Sequence, residues 1–414
     1  MNKYIFIGSS SFPGSSSGIS QSVYAQIKAL HNAGYSVVCF TPTTGKISIE
    51  KIVKSLSILH YHGVESDSLE ELKLMVELYN KYCPEMIINN DNPYLSNLMQ
   101  FAECAKLSIC HMNKTTINSL AVYDGASAHR VGAISHYMLS DLRRKLDVKE
   151  KVAFVPNIFI PPVDEQSADL VLDEGLVSGD KLRILYSGGS NSNKGISYVR
   201  DLLKSVENSP MSKSIQVDLF GRYNQADIAF LKSFENVDIS IHGLTSSDIL
   251  YRYLQKTDYL LFPSLNEGLP MTILEALSAK TAILSIDGVG GVCDLVLNGF
   301  NGICVDKNNW VDMSMSYINL ALRAPEKLMR LKINSYSIFV EGFSQFQFVC
   351  EIKEMIESCV KKKNYIDLFE RNANKDIRLD LISWHRVPKG HIRYYKLLGV
   401  KQRFGRLPKK AYVI

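Results

Sequence analysis

Short apolar runs alternate along this chain with longer segments whose apolar positions recur every three to four residues. YIFIG near the start is followed by SQSVYAQIKALHNAG, in which Val23, Ile27 and Leu30 share one helical face and Gly34 supplies the stop, and then by YSVVCFTP. Strand, helix, strand is the pattern expected, with Ser17 or Ser20 as the helix N-cap. MIINN (86–90), SIC (108–110), VGAIS (131–135) and VAFVP (152–156) predict further strands, separated by helix-length segments. Such alternation predicts a parallel sheet with helices on both faces. Residues 158–180 break the rhythm with a Pro-Pro pair and acidic, Ser and Gly content, so they read as a linker. Beyond it the alternation resumes with LRILYSGG, a helix from Ile196 to about Val206, SIQVDLFG, VDISIHG, YLLFP, TAILSI and NGICVD. The expected fold class is therefore α/β: two successive doubly wound parallel-sheet domains, 1–160 and 181–345, with a ligand cleft between them at the carboxyl ends of the strands. Residues 161–180 are the linker, 346–360 a helix, and 361–414 a tail.

At 414 residues the chain is long for one core, and 46% apolar with 21% charged residues is the balance of a soluble globular protein. No apolar run is long enough to span a bilayer. MNKYIFIGSSS has too short an apolar stretch for a signal peptide and reads as a first strand. The eight cysteines form no CxxC pair and no cluster with zinc-ligand spacing, so reduced thiols, a cytoplasmic protein and no metal are expected. The net charge of +5 conceals an asymmetry, because residues 361–414 hold 15 Lys and Arg against 4 Asp and Glu. The tail interleaves these cations with Tyr, Phe, Trp and Leu. Peripheral contact with an anionic membrane surface is the preferred reading, a solvated extension the simpler one, and no nucleic-acid motif accompanies the charge.

Candidate chemistry lies in the loops after strands. Gly8, Gly14 and Gly18 follow the first strand, but their spacing is not that of a dinucleotide fingerprint, and the second strand ends without an acid, which argues against a dehydrogenase. YSGGSNSNKG (186–195) combines glycines that let the backbone approach a ligand, a helix start, and Lys194. The combination suits a phosphate, although by itself it is equally a turn with a surface lysine. SLNEGLPMTILEAL (264–277) places Glu267 at a strand's carboxyl end and Glu275 inside the next helix, with Pro270 predicted at the first helical position. At 1.5 Å per residue Glu275 lies about 7.5 Å along the axis from Pro270, roughly the reach of a diphosphate. Acid, anion site, acid matches a sugar, a diphosphate and a ribose.

The ordered series YSGGSNSNKG, FGRYN, IHGLTSSDI, YLLFPSLNEGLPMTILEAL, GVGGVCDLV and NGFNGICV resembles family 4 of the retaining glycosyltransferases, which have the GT-B fold of two Rossmann-like domains. The resemblance runs from about residue 1 to 345. It implies that Glu267 binds hydroxyls of the donor sugar and Glu275 the ribose, and that backbone amides near Gly268, Leu269 and Met271 approach the sugar and β-phosphate. It further implies that Lys194, beside Gly188 and Gly189, neutralises the diphosphate, and that Gly243 and Leu244 touch the base. His111, in ICHMN, stands where family members carry a histidine close to the anomeric carbon, and a satisfied structural histidine is the alternative. Ser17-Gly18 takes the place of the family's Gly-Gly, and Asn157 that of an Asn ahead of the linker. The helix at 346–360 would pack back on the first domain. The family's usual phosphate-binding Arg is absent from 186–193, with Arg222 a candidate substitute. Lys280 stands where the family usually has a glycine. The expected activity is transfer from a nucleotide-sugar, a UDP-sugar by preference, to a glycan or lipid-linked acceptor in cell-surface polysaccharide synthesis, without cofactor or metal. A nucleotide-sugar epimerase of the same fold and a catalytically degenerate partner subunit are the alternatives.

Overall fold

The structure is a computed structural model, described here for residues 3–10, 18–42, 58–64, 68–111, 115–147, 149–162 and 181–359. The chain divides into two compact units, Met1–Ile158 with Gln345–Ile414, and Phe159–Ser344. The second unit starts at Phe159, two residues ahead of the linker start expected at 161. Phe159 donates its N–H to the Phe343 carbonyl at 3.3 Å and its ring lies 5.7 Å from that of Tyr251. Most of the linker, and the tail from 360, lie outside the described residues.

The first unit is a seven-stranded parallel sheet: β1 (Lys3–Ser9), β2 (Tyr35–Pro42), β3 (Ile58–Val64), β4 (Met86–Asn90), β5 (Ala105–Cys110), β6 (Arg130–Ala133) and β7 (Val152–Phe154). Their order in space is β3-β2-β1-β4-β5-β6-β7. Helices α1 (Gly18–Asn32), α2 (Ser68–Tyr82), α3 (Pro93–Met99), α4 (Thr115–Gly125) and α5 (His136–Lys145) make the crossovers. β4 and β5 are buried at every position, the signature of central parallel strands covered on both faces. α1 begins at Gly18, so Ser20 is not its cap but a buried residue of its first turn; Ser17 is outside the described residues. β3 was not anticipated from the sequence.

The second unit repeats the plan with six parallel strands: β8 (Leu182–Ser187), β9 (Ile215–Phe220), β10 (Asp238–Gly243), β11 (Tyr259–Phe262), β12 (Ala282–Ile286) and β13 (Gly302–Val305). Their order is β10-β9-β8-β11-β12-β13. Helices α6 (Ile196–Glu207), α7 (Gln225–Leu231), α8 (Ser247–Leu254), α9 (Met271–Ser278), α10 (Val292–Leu295), α11 (Trp310–Arg323) and α12 (Pro325–Gly342) complete it. α6 turns Val199, Leu202, Leu203 and Val206 into the core. The last described helix, α13 (Gln345–Ser358), returns to the first unit and lies against α1, where Asn32 donates to Gln345 at 3.1 Å.

In both sheets the strand order reverses at one point, between β1 and β4 and between β8 and β11. Chains leaving those neighbouring strands depart toward opposite faces, which opens a crevice at their carboxyl ends. The loops singled out in the sequence leave the second of these points.

Candidate functional site

The loops after β8 and β11 are joined by their backbones. Leu265 N–H donates to the Asn193 carbonyl at 2.8 Å, and Ser264 Oγ lies 3.1 Å from the same oxygen. Gly195, at φ +77°, sits so close that a Cβ there would lie 2.0 Å from the Pro263 carbonyl oxygen. A side chain would therefore force the two loops apart.

Each loop feeds a helix whose N-terminus is left open. Neither α6 nor α9 has a side-chain cap or an acid in its first turn. Elsewhere in the unit, α7 is capped by Asn224 and carries Asp227, and α8 is capped by Ser246 and carries Asp248. Pro270 is the N-cap of α9 with extended backbone, and Met271 the first helical residue, one position later than expected. The first backbone carbonyl used within α9 is that of Pro270, accepting from Ile273 and Leu274, so the Met271 and Thr272 N–H groups have no intrahelical acceptor. An open N-terminus carries about half a positive charge and binds anions.

Lys194 and Glu267 meet at this place, with Nζ 2.5 Å from Oε1. Ser264, itself 2% exposed, donates to the same Glu267 oxygen at 2.5 Å. Glu275 is 2% exposed in the first turns of α9 and accepts from Ser247 Oγ on α8 at 3.3 Å. Burial pushes its carboxyl up to about 7, and the Ser247 hydrogen bond opposes that only partly. A buried carboxyl with so little support is a site prepared for other hydrogen-bond donors.

Gly188 and Gly189 form the turn after β8. A Cβ on Gly188 would lie 2.2 Å from the Tyr186 hydroxyl, and one on Gly189, at φ +56°, would lie 2.3 Å from the Arg222 carbonyl oxygen. Ser190 N–H donates to that same carbonyl at 2.8 Å. The Arg222 side chain is exposed and has no partner among the described residues. Arg200, by contrast, is held by Asp227 at 3.1 Å and stacks on Phe230, so it is a structural cation. Gly243 ends β10 at φ +71° and accepts from Gly221 N–H at 2.8 Å, and Leu244 beside it is 63% exposed. Gly268 is half-buried, while Leu269 and Met271 are buried.

In the first unit, His111 follows β5 and is 4% exposed, with Nε2 2.7 Å from Asn90 Oδ1. Burial pushes its imidazole down to about 4, an effect that the Asn157 side chain partly offsets. Its backbone N–H donates to Asp91 at 3.2 Å, and Asp91 holds an unusual φ of +57° at the end of β4. Asn157 is buried and accepts from Ser22 of α1 at 2.9 Å. Gly18 opens α1 and is exposed.

Residues 172–338 match the family described as glycosyl transferases group 1. The matched segment lies within the second unit and is less than half of the chain. An uncharacterized glycosyltransferase of Methanocaldococcus jannaschii is 24% identical over 180 residues, 42% of this chain and 47% of that protein. The chain thus spans about half the length of the curated relative it matches. Among solved structures, a glycosyltransferase from Rickettsia africae superposes with a TM-score of 0.67 at 17% identity, covering 87% of this chain and 100% of that one. HepE from Anabaena, in complex with UDP, gives 0.65 at 16% identity over 86% of this chain and 100% of that one. Sucrose-phosphate synthase from Thermosynechococcus elongatus gives 0.63 at 18% identity, with coverages of 86% and 98%. At such identities the likeness concerns the fold, which is the two-unit GT-B class.

Within the second unit, four further residues shape the loops after β8 and β11 and the helix that follows β11. Ser264 and Ser247 each donate to one of the paired acids. Tyr186 supports the glycine loop after β8, its hydroxyl 3.2 Å from the carbonyls of both Gly189 and Lys194. Gly290, at φ +45°, backs against Glu267, where a Cβ would lie 2.2 Å from the Glu267 carbonyl oxygen. Ser247, Ser264 and Tyr186 are ordinary residues in sequence. Only the second glycine of GVGG carried a signal, since a glycine run in a loop often marks close backbone approach.

Proposed function

We propose that this protein is a retaining glycosyltransferase that takes a sugar from a nucleotide-sugar, a UDP-sugar by preference, and passes it to a glycan or lipid-linked acceptor in cell-surface polysaccharide synthesis. One observation carries the reading: the open N-terminus of α9 lies between two carboxylates, with Lys194 in contact with the first. Glu275 accepts ribose hydroxyls, the α9 amides and Lys194 hold the diphosphate, and Glu267 accepts hydroxyls of the sugar. HepE, of the same fold, binds UDP and UDP-glucose, which supports the donor class.

Glu267 holds Lys194, as a phosphate would. Donor binding exchanges that partner, freeing the carboxylate for the sugar while the lysine takes the diphosphate. Departure of the diphosphate builds negative charge where the lysine and the helix amides already point, so they stabilise the transition state more than the ground state. The leaving phosphate oxygen takes the proton of the attacking acceptor hydroxyl on the same face, which retains the anomeric configuration. Arg222, exposed beside the glycine loop, supplies the second cation that residues 186–193 lack. The charge is met by side chains and amides, and the reaction as proposed calls on no metal or cofactor. The basic 361–414 segment brings the protein, on the cytoplasmic side, to an anionic membrane that carries the acceptor.

Sugar transfer from a panel of UDP-, GDP- and ADP-sugars to lipid-linked acceptors tests the reading. Lys194→Ala and Glu275→Ala are expected to lower kcat/KM by about a hundredfold or more. Wild-type rates in both variants, or epimerisation of the donor in the absence of acceptor, would overturn it.

A further inference from the structure

At the carboxyl ends of β4 and β5 in the first unit, five side chains share one run of hydrogen bonds. Ser22 Oγ donates to Asn157 Oδ1 at 2.9 Å. Gln26 Nε2 faces Ser22 Oγ at 3.5 Å and Asn90 Oδ1 at 3.2 Å, while Asn90 Nδ2 returns a hydrogen bond to Gln26 Oε1 at 3.0 Å. Asn90 Oδ1 also lies 2.7 Å from His111 Nε2. All five residues are buried, so none of these groups can turn to water instead.

Counting hydrogens gives the run a direction. Ser22 has a single hydroxyl hydrogen, and it is committed to Asn157. Gln26 must therefore present its amide nitrogen to Ser22, and the reciprocal amide pair then turns the Asn90 oxygen toward His111. An amide oxygen only accepts, so the hydrogen in the 2.7 Å contact belongs to Nε2. The same burial disfavours a second proton, and the imidazole is neutral over the physiological range.

We propose that Asn90, held by Gln26, is a positioning residue that locks His111 as the neutral Nε2–H tautomer and so presents Nδ1 as a hydrogen-bond acceptor. Nδ1 is itself buried and makes no hydrogen bond of good geometry among the described residues, Asn157 being the other side chain that acts on the ring. In the reaction proposed above, on which the kinetic part of the test rests, a histidine held in this form contributes neither a cation nor an acidic proton. Asp91 fixes the backbone beneath it: its carboxylate accepts the His111 N–H, and its left-handed φ is the kind of local strain that persists where surrounding contacts over-determine it. The groups facing His111 from the neighbouring elements are Asn90 and Asp91 at the end of β4 and Asn157 beyond β7. Among the described residues that contact His111, Asp91 is the titratable one, and burial pushes its carboxyl well up.

Long-range proton–nitrogen NMR of the full chain labelled with 15N-histidine reads the tautomer directly, His111 being assigned by comparison with His111→Gln. The expected result is a protonated Nε2 and an unprotonated Nδ1, unchanged from about pH 6 to pH 8, which requires no variant. Asn90→Asp, of nearly the same shape, places a carboxylate opposite Nε2–H and should move the His111 titration up into or above the ordinary histidine range, with kcat falling about tenfold and donor KM nearly constant. Gln26→Leu should mix the two tautomers. An Nδ1–H or mixed signal in the wild type, or an unmoved titration in Asn90→Asp, overturns the lock whatever the protein catalyses. If the spectra are as expected but His111→Ala transfers sugar at the wild-type rate, it is the placement of His111 in the transferase site that falls.

Discussion

Glu275 shows how a single buried acid couples ligand binding to pH. Its carboxyl, held up to about 7 by burial, is partly protonated in the free protein at neutral pH. Ribose hydroxyls donate to the ionised form, so donor binding should release a proton near pH 7 and tighten as pH rises from about 6 to 8. Calorimetry in two buffers of different ionisation enthalpy measures the release, and Glu275→Gln should abolish it. For stability the sign is opposite: a carboxyl whose folded pKa is raised stabilises most below its unfolded value and loses that contribution as pH climbs through about 7. The unliganded second unit is therefore expected to melt at a lower temperature at pH 8 than at pH 5, a difference that Glu275→Gln should reduce. Gly290 makes a steric case. In Gly290→Ala the Cβ would meet the Glu267 carbonyl oxygen at 2.2 Å from a left-handed backbone. The expected cost is about 2–4 kcal/mol of stability, with donor affinity weakened because the displaced segment carries Glu267. Unchanged UDP-sugar affinity with unchanged melting would contradict the assigned packing.

At the level of elements, the informative feature is an omission. α7 and α8 are capped and begin with an acid, as ordinary helices do, whereas α6 and α9 at the strand-order reversal have neither. Capping contributes about 1 kcal/mol and a first-turn acid about 0.3–1 kcal/mol, so their absence leaves stability unused. Adding an acid should recover it at the cost of function. Thr272→Asp is expected to raise the melting temperature slightly while weakening UDP-sugar binding by about tenfold or more, since its carboxylate competes for the amides meant for phosphate. A variant that bound donor as tightly as wild type would show that the α9 amides are not the anion site. Strand positions were readable because buried parallel strands are apolar throughout, as in β4 and β5. β3 escaped because ILHYHGV mixes histidines and a glycine into a short edge strand. The sequence places the start of α9 one residue early because proline, with its fixed φ, suits the first helical position as well as the cap it occupies.

For the whole molecule, the two units differ in how the chain builds them. Phe159–Ser344 is one continuous segment holding a complete sheet, the loops after β8 and β11, and both Glu267 and Glu275. Expressed alone, it should fold and give a UDP-dependent rise in melting temperature, because a ligand bound only by the folded state stabilises by mass action. No shift with UDP in a folded segment would move the nucleotide site elsewhere. The first unit instead closes with α13, which arrives from the far end of the described chain to lie against α1. The sequence by itself determined the alternation of strands and helices and the division into two α/β units, and it marked Lys194, Glu267 and Glu275 as candidates, since periodicity, glycine placement and acid spacing are local properties of a chain. Only the tertiary structure decided that Lys194 is held by Glu267, that Ser247 donates to Glu275, that Gly290 backs against Glu267, and that Asn90, held by Gln26, faces His111. Those contacts join residues far apart in sequence, and nothing in either partner's own neighbourhood along the chain encodes the distance between them.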